Sequence, residues 1–258
     1  MGVRDGSVWV TTMPLFHAGG CAMCVLGTVS KRATQVLVEW FDPALVMEFG
    51  QTECSPVATV TVPTDAVADI AETIDQPLPH VELRIADPVA GETVPVGTIG
   101  ELCTRGYHVM HEYFENPDAT ANTVGVGGWL HTGDLCAMDD RGYCTIEGRL
   151  KDMIIWGGAN IYPREVEVLL VAHPKVGDAA VIGLPDAKWG EEVAAFIRPA
   201  SGQRIDKNEL VRYVRQHLAP HKTPRHWFEV DALPLTGSGK IHKYKLRQMA
   251  ANGELAEL

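Results

Sequence analysis

Gly148-Arg149-Leu150-Lys151-Asp152-Met153-Ile154-Ile155-Trp156-Gly157-Gly158-Ala159-Asn160-Ile161-Tyr162-Pro163 is the stretch at which the chain changes character. It joins a charged cluster to a glycine pair and ends on a proline where a helix can start, because the first helical turn leaves that amide unpaired anyway. Val166, Leu169 and Leu170 continue at helical spacing up to His173-Pro174. Two strand-like runs come next, 178–184 and 192–198, joined by a turn around Pro185 and Gly190. Asp206 followed by Glu209 forms a variant capping box, and Leu210, Val214 and Leu218 then give one apolar helix face. A last strand is expected over 227–230. Helix, two strands, helix and strand in about a hundred residues make a compact α+β domain. Its boundary falls at Gly148–Asp152. Read by itself, the charged cluster is either a phosphate- or ribose-binding fork built on Arg149 or an interdomain linker with surface ion pairs.

Upstream, residues 98–148 alternate short β-type runs with glycine turns, which points to a small sheet or irregular barrel. Two segments in the N-terminal part can carry chemistry. Phe49-Gly50-Gln51-Thr52-Glu53 offers a ring face for a flat heterocycle and a carboxylate for Mg²⁺; its plain alternative is a surface turn. Trp129-Leu130-His131-Thr132-Gly133-Asp134 places an acceptor at a strand end, where it can hold a vicinal diol or merely cap a turn. Downstream, Leu235-Thr236-Gly237-Ser238-Gly239-Lys240 fails the Walker pattern, since Pro234 occupies the first glycine position and Ile241 follows the lysine. It is either a flexible tail or a loop holding Lys240 out toward a site elsewhere. The cations Lys240, Lys243, Lys245 and Arg247 read as a solvated helix face. His17, Cys21 and Cys24 fall at helical spacing without a second ligand pair to complete zinc, and 125–128 reads as a hairpin loop rather than a dinucleotide fingerprint.

Composition narrows the function classes. The net charge of −11 is uneven: residues 151–258 hold 15 Lys and Arg against 13 Asp and Glu, so residues 1–150 hold 7 against 20. An acidic body without a basic stripe excludes nucleic acid as an expected partner. The longest apolar run is too short to span a bilayer, no secretory leader is legible, and six cysteines are few for a disulfide scaffold. A reduced, cytoplasmic protein is the expectation.

In their order, these segments resemble the successive core motifs of the adenylate-forming superfamily, which contains acyl-CoA synthetases, nonribosomal-peptide adenylation domains and firefly luciferase. Pro14-Leu15-Phe16-His17-Ala18-Gly19-Gly20 and Gly100-Glu101-Leu102 through Gly106-Tyr107 and Tyr113 match further family segments. The wording of Lys151-Asp152-Met153-Ile154 and Asn160-Ile161-Tyr162-Pro163 is more similar to fatty-acyl and medium-chain synthetases than to amino-acid adenylating domains. The resemblance implies an α/β plus α+β fold: a β-rich remnant of the large AMP-binding domain over 1–148, a hinge at 149–151 and a complete small lid domain over 152–258.

It further implies ATP, Mg²⁺ and coenzyme A as ligands, with a fatty acid as substrate. Phe49 would stack on adenine within the Gly50-Gln51 bend, Thr52 would contact phosphate and Glu53 would hold Mg²⁺. Asp134 would chelate ribose with Arg149 beside it, and Lys151 would be the hinge residue. Lys240 would bridge carboxylate and α-phosphate, His17 would line the acyl side, and Gly157-Gly158 would border the pantetheine path.

Two departures are expected to weaken catalysis. Residues 1–13 show no Ser/Thr/Gly-rich phosphate loop, and a segment that normally builds the acyl pocket is missing between Val46 and Met47. Delivery to a carrier protein, or survival as a non-catalytic binding remnant, are the alternatives to coenzyme A ligation.

Overall fold

The computed structural model describes residues 8–11, 27–30, 32, 34–37, 48–55, 57–62, 64–236 and 239–258. The chain divides into two units, Met1–Ile146 and Glu147–Leu258. No helix among the described residues is long and apolar enough to cross a membrane, and Cys54, Cys103, Cys136 and Cys144 are free thiols.

In the first unit β1 (Val8–Thr11) and β2 (Thr34–Leu37) pair in parallel, with the short helix α1 (Gly27–Ser30) between them in sequence. β3 (Glu48–Phe49) and β4 (Thr59–Val60) form an antiparallel pair. After α2 (Val67–Glu72), the strands β5 (Glu82–Ala86), β6 (Gly100–Arg105), β7 (Leu130–Met138) and β8 (Cys144–Arg149) build a four-stranded sheet in that order. A helix α3 (Pro117–Thr123), capped by the Asn116 side chain, precedes β7. The 125–128 segment is indeed a tight loop, closed by Gly128 N–H to Gly125 O and by the Val124–Leu130 bridge. Phe49, Cys54, Ile74, Ile85, Leu102, Leu130, Cys136 and Cys144 share one buried cluster on this sheet. Burial pushes the Cys54 thiol up to about 11 and Cys144 up to about 12, so both are neutral core residues.

The second unit opens with a hairpin of β9 (Ile154–Trp156) and β10 (Ala159–Ile161). Then come α4 (Pro163–Val171), β11 (Val176–Asp186), β12 (Gly190–Pro199), α5 (Lys207–His217), β13 (His226–Glu229) and α6 (Lys243–Ala251). β12 is central, antiparallel to β11 and parallel to β13. Both of its faces are covered, which is why 178–184 and 192–198 read as nearly unbroken apolar runs. Val193, Ala195 and Ile197 face Val166, Leu170, Leu210 and Val214 on one side. Ala194 and Phe196 face Phe228 and Leu246 on the other.

Asp206 caps α5 through the amides of Asn208 and Glu209. The reciprocal half of the expected capping box is not made: the Glu209 carboxylate bonds Lys175 Nζ at 2.5 Å instead. The solvated reading of the C-terminal cations is also corrected for two of them. Lys243 pairs with Glu167 at 2.7 Å and Arg247 Nε donates to Gly183 O, because Leu246 docks this helix on the sheet and brings that side against the body.

Asp75 stands out in the first unit. It is fully buried at a left-handed φ of 59°. Its Oδ2 accepts from Thr61 Oγ1 at 2.8 Å, and its Oδ1 has no partner among the described residues. Burial, helped by Asp65 and Asp69, raises its pKa above the ordinary carboxylate value. The native state therefore holds this proton more tightly than the unfolded chain does. Stability from this group is present at low pH and declines as pH rises above the unfolded value toward the folded one. Asp75→Asn, which tolerates the same backbone, should stabilise the protein by about 1 kcal/mol at pH 7 and by less at pH 4. Thermal melts at the two pH values check this; equal gain or a loss at pH 7 would refute it.

Candidate functional site

The first unit gathers three of the sequence segments. After Phe49 the chain bends through Gly50, and Gln51 opens a single 3-10 turn, Thr52–Cys54, closed by Ser55 N–H to Thr52 O. The Gln51 amide reaches across eighty residues of sequence: Nε2 donates to Thr132 O at 2.7 Å and to Asp134 Oδ2 at 2.9 Å. Asp134 is only 3% exposed. It sits on β7 just after Gly133, whose φ of 68° suits glycine. Thr132 Oγ1 donates to Leu102 O and accepts from the Asp134 amide, so the turn is pinned to β6. Glu101 closes the arrangement from β6, accepting Gly133 N–H at 3.0 Å and facing His131 Nδ1 at 2.7 Å.

Glu53 lies on the same turn as Thr52, which is exposed. Its Oε1 accepts from Tyr113 O–H at 2.7 Å, and its backbone carbonyl accepts from the Met110 amide. That hydrogen bond, more than burial, raises the pKa of the Tyr113 phenol. Oε2 of Glu53 has no partner among the described residues, which leaves one carboxylate oxygen beside a hydroxyl. That donor set fits Mg²⁺, an ion usually held by one or two carboxylates, water and phosphate.

Two of the expected site residues are placed differently by the described structure: one is packed in the core and the other is not described. Phe49, expected to offer its ring to adenine, packs in the core cluster at 8% exposure. His17 lies outside the described residues, as do Cys21, Cys24 and the Val46–Met47 junction. Gln51 was legible only as part of a bend; no sequence signal shows that its amide would be the group that meets Asp134.

The second unit carries the remaining candidates. Arg149 is exposed at the end of β8, and its carbonyl accepts from Met153 N–H across a 3-10 turn, Leu150–Asp152, that also exposes Lys151. Gly157 and Gly158 are the two turn residues of the β9–β10 hairpin, at φ 56° and 87°. Both angles demand the left-handed region, which is the hairpin turn that glycine makes without strain. Gly157 N–H donates to Trp189 O at 2.8 Å, and a Cβ there would lie 2.9 Å from the Trp189 ring. Trp189 stacks on Trp156 with centroids 4.3 Å apart, Lys188 lies over Trp189, and Arg225 lies over Trp156. The glycine turn is thus flanked by flat rings and cations. Lys240 is exposed at the base of a narrow loop closed by Thr236 N–H to Lys240 O at 2.7 Å and His242 N–H to Pro234 O. Gly237 and Ser238 of that loop lie outside the described residues.

Comparison with known proteins adds independent findings. The family model described as AMP-binding enzyme matches residues 38–114, and that of the AMP-binding enzyme C-terminal domain matches 165–240. "Putative acyl-CoA synthetase YngI" of Bacillus subtilis (strain 168) is 50% identical over 92% of this chain and 55% of its own length. That alignment runs over 300 residues, more than this chain contains, so YngI carries positions without a counterpart here. The mitochondrial medium-chain acyl-CoA ligase ACSF2 of Danio rerio is 43% identical over 79% of this chain and 34% of its own length. The chain therefore spans about half of one curated relative and a third of the other. Among solved structures, ATP-bound MatB from Rhodopseudomonas palustris superposes with a TM-score of 0.86 at 26% identity, covering 95% of this chain and 60% of that one. The o-succinylbenzoate CoA synthetase MenE from Bacillus subtilis, in complex with its acyl-adenylate intermediate, gives 0.81 at 25% identity, covering 95% and 62%.

Removing the amide that meets Asp134 should be costly. Gln51→Ala leaves a buried carboxylate short of one charge-assisted donor, a loss of roughly 1.5–3 kcal/mol. The urea midpoint of the first unit's unfolding, followed by a probe in that unit, should fall accordingly, and Gln51→Glu should be worse because it sets two carboxylates together. An unchanged midpoint in both variants would show that the bond is not formed in solution.

Proposed function

We propose, on the premise that this chain belongs to the AMP-binding, adenylate-forming acyl-CoA synthetase family, that it is an acyl-CoA ligase acting on a fatty carboxylic acid. The observation that carries this reading is the Gln51 amide bridging to Thr132 and Asp134, which holds the Phe49–Glu53 bend against the acidic residue suited to a ribose diol.

In the reaction the carboxylate oxygen attacks the α-phosphorus of ATP and pyrophosphate leaves. The sulfur of coenzyme A then attacks the acyl carbon, its proton passes to solvent and AMP leaves. No protein nucleophile is needed, so the residues position and stabilise charge. Asp134 accepts ribose hydroxyls, Thr52 donates to phosphate and Arg149 adds a fork of donors. The Lys240 ammonium sits on the oxygen between carboxylate and α-phosphorus during the first step. Lys151 lies at the hinge between units that the family uses to exchange the two half-reactions. The Gly157-Gly158 turn, with Lys188, Arg225 and the Trp156–Trp189 pair, offers a narrow passage and cations for the acceptor thiol's anionic carrier. Glu53 would hold a Mg²⁺ ion, whose chemistry there would be to neutralise charge at the phosphates.

A second reading is favoured by the positions that YngI has and this chain lacks. If these build the acyl pocket, the chain is a binding remnant without turnover. The half-reactions distinguish the two. Supplied with presynthesised acyl-AMP and coenzyme A, the full chain should form acyl-CoA, and Asp134→Ala should slow this roughly 10- to 100-fold through loss of a charge-assisted contact. Lys240→Ala should leave the transfer nearly unchanged while abolishing any pyrophosphate exchange. Acyl-AMP consumed no faster than with coenzyme A alone leaves the remnant reading. Equal slowing by both variants refutes the roles assigned.

A further inference from the structure

Beside the ribose-binding turn, but not part of its proposed chemistry, β6 and β7 bring three different donor types together. Glu101 and Cys103 project from one face of β6, and His131 stands opposite Cys103 in the register of β7. Their ligand atoms all lie within 4.8 Å of one another. His131 Nδ1 is 3.6 Å from Cys103 Sγ and 2.7 Å from Glu101 Oε2. Cys103 is fully buried and Glu101 nearly so, whereas the His131 side chain keeps 31% of its surface.

Two of the three edges can be compared with a coordination polyhedron. With zinc–sulfur and zinc–nitrogen bonds of about 2.3 and 2.0 Å at the tetrahedral angle, sulfur and nitrogen stand about 3.5 Å apart, close to the spacing found. The nitrogen–oxygen edge would need to open by about 0.6 Å at the expense of the Glu101–His131 hydrogen bond, and the Cys103 S–H bond to Glu101 O is given up with the proton. Glu101 Oε1 can keep the Gly133 amide meanwhile. One thiolate and one carboxylate neutralise a divalent ion. Arg84 stands opposite Cys103 in the β5–β6 register, and its positive charge favours a thiolate there. A water would complete the tetrahedron as fourth ligand.

We propose that Glu101, Cys103 and His131 form a binding site for a thiophilic divalent cation of the zinc class. Sulfur and imidazole select against magnesium and calcium, which prefer all-oxygen shells. Binding replaces the Cys103 S–H proton, and burial pushes that thiol up to about 11 in the metal-free protein. One proton is therefore released to solvent for each ion bound near neutral pH. His131 coordinates through Nδ1 as the neutral tautomer carrying its proton on Nε2.

Cobalt(II), a spectroscopic stand-in for zinc, tests this on the full chain. Titration should give thiolate-to-cobalt charge-transfer absorption and intense tetrahedral visible bands, saturating at one equivalent assigned to this site, with release of one proton and displacement by zinc. Cys103→Ser should remove that equivalent's charge-transfer band, and His131→Gln should weaken binding at least tenfold. His17, Cys21 and Cys24 are a competing donor set in the sequence, so dependence on Cys103 and His131 is the criterion. Absence of a thiolate band, or a band that survives unchanged in Cys103→Ser, overturns the proposal. Should Cys103→Ser fail to fold, as judged by circular dichroism, the half-exposed His131→Gln decides alone: undiminished cobalt affinity there overturns it.

Discussion

A carboxylate taken out of water must find donors, and the first 150 residues supply only seven cations for twenty acids. That shortage shapes the first unit. Its buried acids take uncharged donors among their partners: Asp134 the Gln51 amide, Glu101 the Gly133 N–H, and Asp75 the Thr61 hydroxyl. Glu53, partly buried, takes the Tyr113 hydroxyl. Neutral donors are directional and short-ranged, so each acid fixes the position of a specific neighbour. The bend at Gly50, the strand β7 and the Tyr113 segment are thereby registered to one another. An ion pair would have done this less exactingly, since a lysine on a long stem tolerates many placements.

The second unit rests on a different principle, with both faces of one sheet buried under helices. Its sequence was correspondingly easy to read. Unbroken apolar runs gave β11 and β12, Pro163 gave the start of α4, and Asp206 gave the start of α5, because each signal is local and belongs to one element. Other features were not legible, and the β9–β10 hairpin was read only as a charged cluster joined to a glycine pair. Glu209 had a strong local partner in the capping box and yet turned to Lys175, a tertiary competitor that sequence spacing cannot reveal. Lys243 and Arg247 looked like solvent-facing charge because their partners, Glu167 and the Gly183 carbonyl, are about 60–75 residues away.

The same distinction governs the site. Asp134, Glu53, Arg149 and Lys240 were put forward from motif order, since each stands in a short segment with its own chemistry. What holds them could not. Gln51 was read as a residue of the bend, although it is the group that joins the two halves of the arrangement. The burial of Phe49 was also beyond reach, because an aromatic beside a glycine is equally consistent with a presented ring and with a core anchor. Glu101 was noted only as part of a family segment, yet it steadies the turn before Asp134 through the Gly133 amide.

The indole pair beside the glycine turn has a consequence of its own. Trp156 and Trp189 lie nearly parallel at 4.3 Å between centroids, and the Trp189 carbonyl is the acceptor for Gly157 N–H. Two indoles that close share their electronic excitation, so they absorb and emit as one coupled chromophore whose signature depends steeply on spacing and tilt. Lys188 and Arg225, lying over the outer rings, add a charge whose movement shifts the same bands. Trp227, wholly buried with its N–H bonded to Pro224 O, contributes a steady background. The second unit thereby contains a label-free optical gauge of its own hairpin, sensitive to anything that draws the turn away from Trp189.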